Sequence, residues 1–336
     1  MGTGLPANQI TVATILKPNK ENLREMRKFL RLGELVAVPT ETVYGLAANA
    51  LDPKACQKIF TVKERPHNDP LICHVPDFES LEQYCETNPF AKRLAEAFWP
   101  GPLTLVLPKK SIIPDIVTAG RDSVAVRCPS HPIFRELIEG CDFPLAAPSA
   151  NPFAYISPTL AIHVQANLGD RIGTILDGGP CHLGVESTII DVRDPKSARI
   201  LRYGALPIEQ IEDAVKRRVD RPLPHQSGMS IAPGALPKHY SPRTMLELKS
   251  VPVLEEELQK TDGSIAYLLL RKPSHSSSSN IHWLSGNGEL DRIASQLYSK
   301  LRELDAAGYK KIVVEEAPEL GLGRTINDRL RRAAFQ

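Results

Sequence analysis

Four short clusters hold the side chains of this sequence that could act on a polar or anionic ligand. The first begins at Pro39, where an apolar strand passes straight into Thr40-Glu41-Thr42 and then Tyr44-Gly45, read as a tight turn. Hydroxyls at a strand end stand where open α/β sheets take their ligands. Lys63 and Arg65 follow where a helix must stop, so they either complement its dipole or bind phosphate. Asp69-Pro70-Leu71-Ile72 comes next, and His74 puts an imidazole on a short apolar strand, where a satisfied core residue is the ordinary reading. The second cluster is Ser123-Val124-Ala125-Val126-Arg127. Arg127 ends an apolar strand, and burial without a partner is costly, so it must meet a carboxylate or a phosphate. An internal salt bridge and a ligand contact both satisfy that need.

The third cluster is Ala147-Pro148-Ser149-Ala150-Asn151-Pro152 with Ser157-Pro158-Thr159. Ser149 and Asn151 are either turn formers or donors to a phosphate, and Ser157 or Thr159 is expected to cap the helix that follows. The fourth couples Asp177-Gly178-Gly179-Pro180 to Gly184-Val185-Glu186-Ser187-Thr188, with Arg202 closing the domain. No GxxxxGK(S/T) loop occurs, and Gly321-Leu322-Gly323-Arg324-Thr325 has the wrong spacing for one. Neither GxSxG nor an early GxGxxG is found, which disfavours hydrolases and dinucleotide enzymes. The six cysteines lack zinc-knuckle spacing and the nine histidines form no HExxH pair, so no metal site is expected. Cations, hydroxyls and amides without a nucleophile suit catalysis by positioning and charge stabilisation, as in transfer at phosphorus.

Elements must hold these clusters in place. Strands are predicted at 35–38, 103–107, 123–126, 144–147, 174–176 and 187–191, alternating with helices at 22–32, 53–62, 90–98, 132–139 and 159–168. Pro207 starts a closing helix to 219. This is an α/β domain over 15–219. Residues 220–243 are a proline-rich linker, and 244–336 form a smaller α/β unit with strands at 264–270 and 311–315, a helix at 289–306 and a final Arg-rich helix from 324. Residues 274–280 form a serine-rich surface loop.

A net charge of +2 excludes a histone-like polycation, and 42% hydrophobic with 24% charged residues excludes disorder throughout. No apolar run is long enough to span a membrane, no signal-peptide pattern opens the chain, and Pro6 spoils a myristoylation reading of Gly2, so a cytoplasmic protein is expected. Proline is in excess, 29 residues where about 17 are usual, so many stiff turns are expected.

Together the clusters closely resemble the YrdC-like family in its longer, two-domain threonylcarbamoyl-AMP synthase form. The matching pieces are Pro39 to Leu46, Lys63-Glu64-Arg65-Pro66, Trp99-Pro100-Gly101-Pro102-Leu103-Thr104, Val124 to Arg127, Ala147 to Asn151 and Gly184 to Ile189. Ala232-Pro233-Gly234 and Lys238-His239-Tyr240-Ser241-Pro242 resemble the linker of the two-domain form. Pro237 departs from it, standing where related linkers often carry an aromatic residue.

The resemblance implies a twisted mixed-sheet α/β domain followed by a smaller Rossmann-like one. It implies an enzyme joining L-threonine, bicarbonate and ATP into threonylcarbamoyl-AMP and pyrophosphate, with Mg2+ accompanying ATP. A tRNA threonylcarbamoyl transferase complex would take the product, and direct tRNA contact is possible in such a scheme. Thr42, His74, Arg127, Ala147 and Ser187 would hold threonine. Lys63, Arg65, Asp69, Ser123, Ser149, Asn151, Ser157 and Arg202 would surround ATP, with Tyr240 covering it; Lys63, Arg65, Ser149 and Asn151 would serve the chemistry.

The alternative from another class is an RNA-binding module, motivated by the family's basic concave face and by Arg324, Arg329, Arg331 and Arg332. Those arginines are read here as a solvated helix face, and 6% aromatic residues offer few stacking platforms. Carbamoyl transfer in hydrogenase maturation is a further alternative, but the acylphosphatase and zinc-finger regions that accompany it are missing from this sequence.

Overall fold

A computed structural model of the chain describes residues 12–222, 238–251, 254, 258, 262–274 and 278–335. Ten strands build the first sheet: β1 Thr14–Leu16, β2 Val36–Val38, β3 Gly45–Asn49, β4 Ile72–His74, β5 Leu103–Pro108, β6 Ser123–Arg127, β7 Leu145–Ala146, β8 Thr174–Leu176, β9 Thr188–Asp191 and β10 Arg199–Arg202. Their order is β1-β8-β2-β3-β7-β4-β6-β5-β9-β10, with parallel and antiparallel pairs mixed. Successive side chains of a strand face opposite ways. In β2, Ala37 therefore joins one core while Val36 and Val38 join the other.

Helices α1 Lys20–Arg31 and α6 Pro132–Glu139 cover the second face over β2, β3 and β7. Helices α2 Pro53–Lys63, α4 Pro89–Phe98, α7 Ala161–Leu168 and α8 Ile208–Val215 contribute to the core on the first face, between which the short α3 Phe78–Leu81 and α5 Asp115–Thr118 are set. Among the described residues, the second face over β4, β6, β5 and β9 carries the small buried patch Ile72, Val106, Ala125 and Ile189. The polar side chains Thr104, Arg127 and Ser187 lie on that same face by alternation, and this is where the cleft forms. A bulge between Ile200 and Arg202 sets Arg202 opposite Ile189, which brings it onto the cleft face as well.

Some excess prolines have defined positions: Pro53, Pro89 and Pro132 occupy the first turn of α2, α4 and α6. Two expectations fail locally. The N-cap of α7 is Leu160, with no side-chain cap from Ser157 or Thr159, whose hydroxyls bond elsewhere. Gly45 is no turn residue but the first residue of β3. A Cβ there would meet that of Ala147 at 3.3 Å, so glycine lets β3 run close to the 147–149 segment.

The second sheet is parallel: β11 Met245–Lys249, β12 Ile265–Arg271, β13 Ile281–Ser285 and β14 Lys311–Glu315, in the order β11-β14-β12-β13. Helices α9 Leu290–Ala306 and α10 Leu322–Ala333 pack on one face. Their core takes in Val43, Ile156 and Val185 from the first domain and Tyr240 from the linker, so the domains share a hydrophobic core. The sequence reading missed β1, β3, β10, β11 and β13. Pro237, Ala232-Pro233-Gly234 and part of the serine loop lie outside the described residues. No described helix is long and apolar enough to cross a membrane.

Candidate active site

The connection from β2 to β3 is knotted around one hydroxyl. Thr40 Oγ1 accepts the backbone N–H groups of Thr42 and Val43, each at 3.1 Å, and donates to the Val43 carbonyl at 2.7 Å. With its proton so committed, Thr40 Oγ1 accepts from the Thr42 hydroxyl at 2.8 Å. Thr42 Oγ1 in turn accepts Arg127 Nη1 at 3.0 Å. Arg127 also donates Nε to the Gly101 carbonyl at 3.2 Å and pairs Nη2 with Glu41 at 2.5 Å. The carboxylate expected for Arg127 is therefore internal. Burial pushes the Glu41 carboxyl up, but the Arg127 guanidinium outweighs it and holds Glu41 below the usual range.

His74 stands beside this pair. Its Nδ1 lies 3.3 Å from the Leu145 carbonyl, which assigns the proton to Nδ1 and leaves Nε2 as an acceptor. Burial pushes the imidazole down to about 3, so it is neutral. Across the cleft, Ser187 Oγ meets Thr104 Oγ1 at 2.7 Å, and Arg202 Nη2 donates to the Ser187 carbonyl at 2.9 Å and hydroxyl at 3.2 Å.

Lys63 and Arg65 do not complement the α2 dipole. Lys63 Nζ donates to the Ser149 and Asn151 carbonyls, each at 2.5 Å, and burial with the neighbouring Arg65 charge lowers its pKa well below normal. Lys63 thus acts as a post for the 149–151 loop. Arg65 donates to the Asp69 and Pro70 carbonyls and pairs with the Asp69 carboxylate at 2.9 Å. Burial drives Arg65 down and Asp69 up, each toward its neutral form. Asn151 donates its amide to the Pro152 and Tyr155 carbonyls at 2.9 Å.

One cavity gathers Thr42, Arg65, His74, Arg127, Ala147, Ser149, Ser187, Arg202 and Tyr240, about 550 Å³ counting the solvent at its mouth. Lys63, Asp69, Asn151 and Ser157 stand behind its wall. Ser123 is not among the residues lining it and stands four residues from Arg127 along β6, roughly 13 Å away. Arg65, Arg127 and Arg202 give the cavity a cationic lining, as anions require.

Tyr240 sits at the wall with φ 62°, its ring 4.1 Å from that of His239 and 5.8 Å from that of Tyr298. Its hydroxyl and His239 Nδ1 are buried without a hydrogen-bond partner among the described residues. Such orphaned groups fit a ligand in the cavity. Glu186, also in the wall, accepts Ser157 Oγ at 2.7 Å, Tyr298 OH at 3.0 Å and Arg329 Nε at 2.8 Å. Arg329 is only 1% exposed and lies under the Tyr240 ring at 4.8 Å, so α10 is not a uniformly solvated face.

Reading by sequence missed Glu41, Thr104, Glu186, His239, Tyr298 and Arg329. The need of Arg127 for a partner was expected, but nothing in the sequence named Glu41 as that partner. Nothing local signalled Tyr298 or Arg329, which arrive from the other domain.

A family profile described as "Telomere recombination" matches residues 28–204, and one described as "Threonylcarbamoyl-AMP synthase, C-terminal domain" matches residues 206–335. The threonylcarbamoyl-AMP synthase of Pyrococcus abyssi is 40% identical over 321 residues, 91% of this chain and 92% of its own. The chain belongs to the threonylcarbamoyl-AMP synthase family. The Bacillus subtilis member of the threonylcarbamoyl-AMP synthases is 38% identical across 97% of this chain and 96% of its own. The crystal structure of Pyrococcus abyssi Sua5 complexed with L-threonine matches at TM-score 0.87 and 37% identity, covering 96% of this chain and 98% of that one. The likeness to threonylcarbamoyl-AMP synthases thus runs through both domains and the shared core.

Proposed function

We propose that this protein condenses L-threonine, bicarbonate and ATP into threonylcarbamoyl-AMP, pyrophosphate and water. The observation that carries the reading is the cavity in which Arg127, Thr42, neutral His74 and Ser187 face Arg65, Ser149 and Arg202. Arg127, fixed by Glu41, presents a guanidinium edge to the threonine carboxylate. His74 Nε2 accepts a hydrogen bond from threonine's hydroxyl or amine, and the Ala147 backbone and Ser187 complete the seat.

The threonine amine attacks the carbon of bicarbonate-derived carbon dioxide and loses a proton, giving a carbamate. A carbamate oxygen then attacks the α-phosphorus, and the bond from that phosphorus to the bridging oxygen breaks as pyrophosphate leaves. Arg65 and Arg202 offset the charge that builds on the phosphate oxygens. Lys63 and Asn151 hold the loop presenting Ser149, Asp69 orients Arg65, and Ser157 braces the wall through Glu186. Tyr240 packs on the nucleotide and supplies its unpartnered hydroxyl. ATP would come as its Mg2+ complex, the ion belonging to the substrate and supplying charge screening on the phosphates. Ser123, four residues from Arg127 along β6, is assigned to the nucleotide end of the site in this reading. The product suits a separate transferase complex that modifies the adenosine beside the anticodon of tRNAs reading codons that begin with A. A cytoplasmic location accords with this reading.

The test is pyrophosphate release by the purified chain. Release requiring threonine, bicarbonate and ATP together, without RNA, is expected. Salt-sensitive RNA retention with no turnover would replace this reading with a binding module.

A further inference from the structure

Thr104 stands on the cleft face between Arg127 and Ser187, yet no step of the proposed chemistry uses it. It pairs across β5 and β6 with Arg127, and in such a pair the side chains start about 5 Å apart. On its other side β9 runs beside β5, and there Thr104 Oγ1 meets Ser187 Oγ at 2.7 Å. Thr104 is 0% exposed, and this is its one side-chain hydrogen bond among the described residues. Its hydroxyl proton therefore has a single acceptor, Ser187 Oγ, and turning it elsewhere would bury an unsatisfied donor. Ser187 Oγ also accepts Arg202 Nη2 at 3.2 Å. Two donors fill both lone pairs of that oxygen, so the Ser187 proton is left to point into the cavity that Ser187 lines. Thr42 has the opposite polarity: it gives its proton to Thr40 and accepts from Arg127, which leaves it a lone pair to offer.

We infer that Thr104 is a positioning residue for the amino-acid substrate: by donating to Ser187 it fixes that hydroxyl as a donor, aimed together with the Arg127 guanidinium at a carboxylate lying over Thr104. Arg127 commits three of its five N–H groups to Gly101, Thr42 and Glu41, so the remaining two suit the same carboxylate. A carboxylate only accepts, which is what two donors flanking one spot require. An amine or hydroxyl that must donate is directed instead to Thr42 Oγ1 and His74 Nε2, both also in the cavity wall. Thr104 thereby sets which way round the amino acid lies. That the carboxylate is threonine's rests on the synthase reading proposed above.

The experiment is calorimetric titration of the full chain with L-threonine. Ser187→Ala should weaken binding about tenfold or more, the scale of one charge-assisted hydrogen bond, and Thr104→Val about fivefold, because the Ser187 hydroxyl is then no longer held in one orientation. Thr104→Val with Ser187→Ala should bind within about twofold of Ser187→Ala alone, since Thr104 acts through that hydroxyl. Thr104→Ser keeps the proton and loses the methyl, and it should bind within about twofold of the parent. A merely structural Thr104 gives the reverse order, with valine mild and serine harmful. Losses that multiply in the double variant, or Thr104→Val binding within about twofold of the parent, overturn the proposal. If Thr104→Val does not fold, Thr104→Ala takes its place under the same criteria. Pyrophosphate release is read in parallel. A parent that binds no threonine overturns the synthase reading and this role with it. The expected pattern of affinities in a chain that releases no pyrophosphate would refute the synthase reading while sustaining the role of Thr104.

Discussion

The Arg127–Glu41 pair ties ligand recognition to stability at a single residue. Arg127→Ala leaves Glu41, 0% exposed, without its counter-ion, so a loss of about 3–5 kcal/mol in chemical denaturation is expected along with threonine binding. Glu41→Gln with Arg127→Ala should regain much of the stability and none of the threonine affinity; a single variant as stable as the parent would refute the pairing. His74 carries a second expectation. Folded, its imidazole resists protonation until about pH 3, whereas the unfolded chain takes up the proton below about 6.5. Its contribution is complete above about pH 6.5 and is lost as pH falls toward 3, by about 1.4 kcal/mol per unit. His74→Gln should therefore reduce proton uptake on unfolding at pH 5 by about one, and an unchanged pH dependence would mean a solvated imidazole. The need of Arg127 for a partner was legible in its strand, because burying a guanidinium has a known cost. Which carboxylate supplied it was not, because Glu41 reaches it only once the Thr40 hydroxyl has folded the turn back.

At the scale of elements, strands rich in β-branched residues and helices opened by proline announced themselves. The strand Gly45-Leu46-Ala47-Ala48-Asn49 did not, because its small residues have weak strand preference and it forms by being clasped between β2 and β7. The bulge that turns Arg202 toward the cleft leaves no sequence mark either, being a matter of register with β9. The loop before β9 is where one element presses on another. Gly184 has φ 71°, and a Cβ there would lie 2.5 Å from Ser295 Cα in α9. Gly184→Ala should cost on the order of 1–3 kcal/mol in thermal or denaturant unfolding as α9 is pushed away. Gly173, with nothing within 4 Å of an added Cβ, is the control, and Gly173→Ala should be neutral or slightly stabilising. Equal effects at both positions would mean that the loop and α9 are not in close contact.

Across the whole molecule, two α/β units could be read from the alternation of strands and helices, but the union of the domains could not, since the shared core is assembled from residues far apart in the chain. Val43, Ile156, Val185 and Tyr240 sit in the core of the second domain, so neither domain is expected to melt alone. The two tryptophans report on this, one in each domain: Trp99 bonds the Leu103 carbonyl at 2.7 Å, and Trp283 lies on β13. Fluorescence of Trp99→Phe and Trp283→Phe variants should trace coincident denaturant transitions, and separate midpoints would show two independent units. The bond between Glu186 and Arg329 spans 143 positions of the chain. At about 5–20 residues per second a ribosome takes roughly 7–30 s to cover that distance. For that interval the emerging first domain holds Glu186 without its partner, so a newborn chain carries a carboxylate in its cleft wall before Arg329 exists to neutralise it.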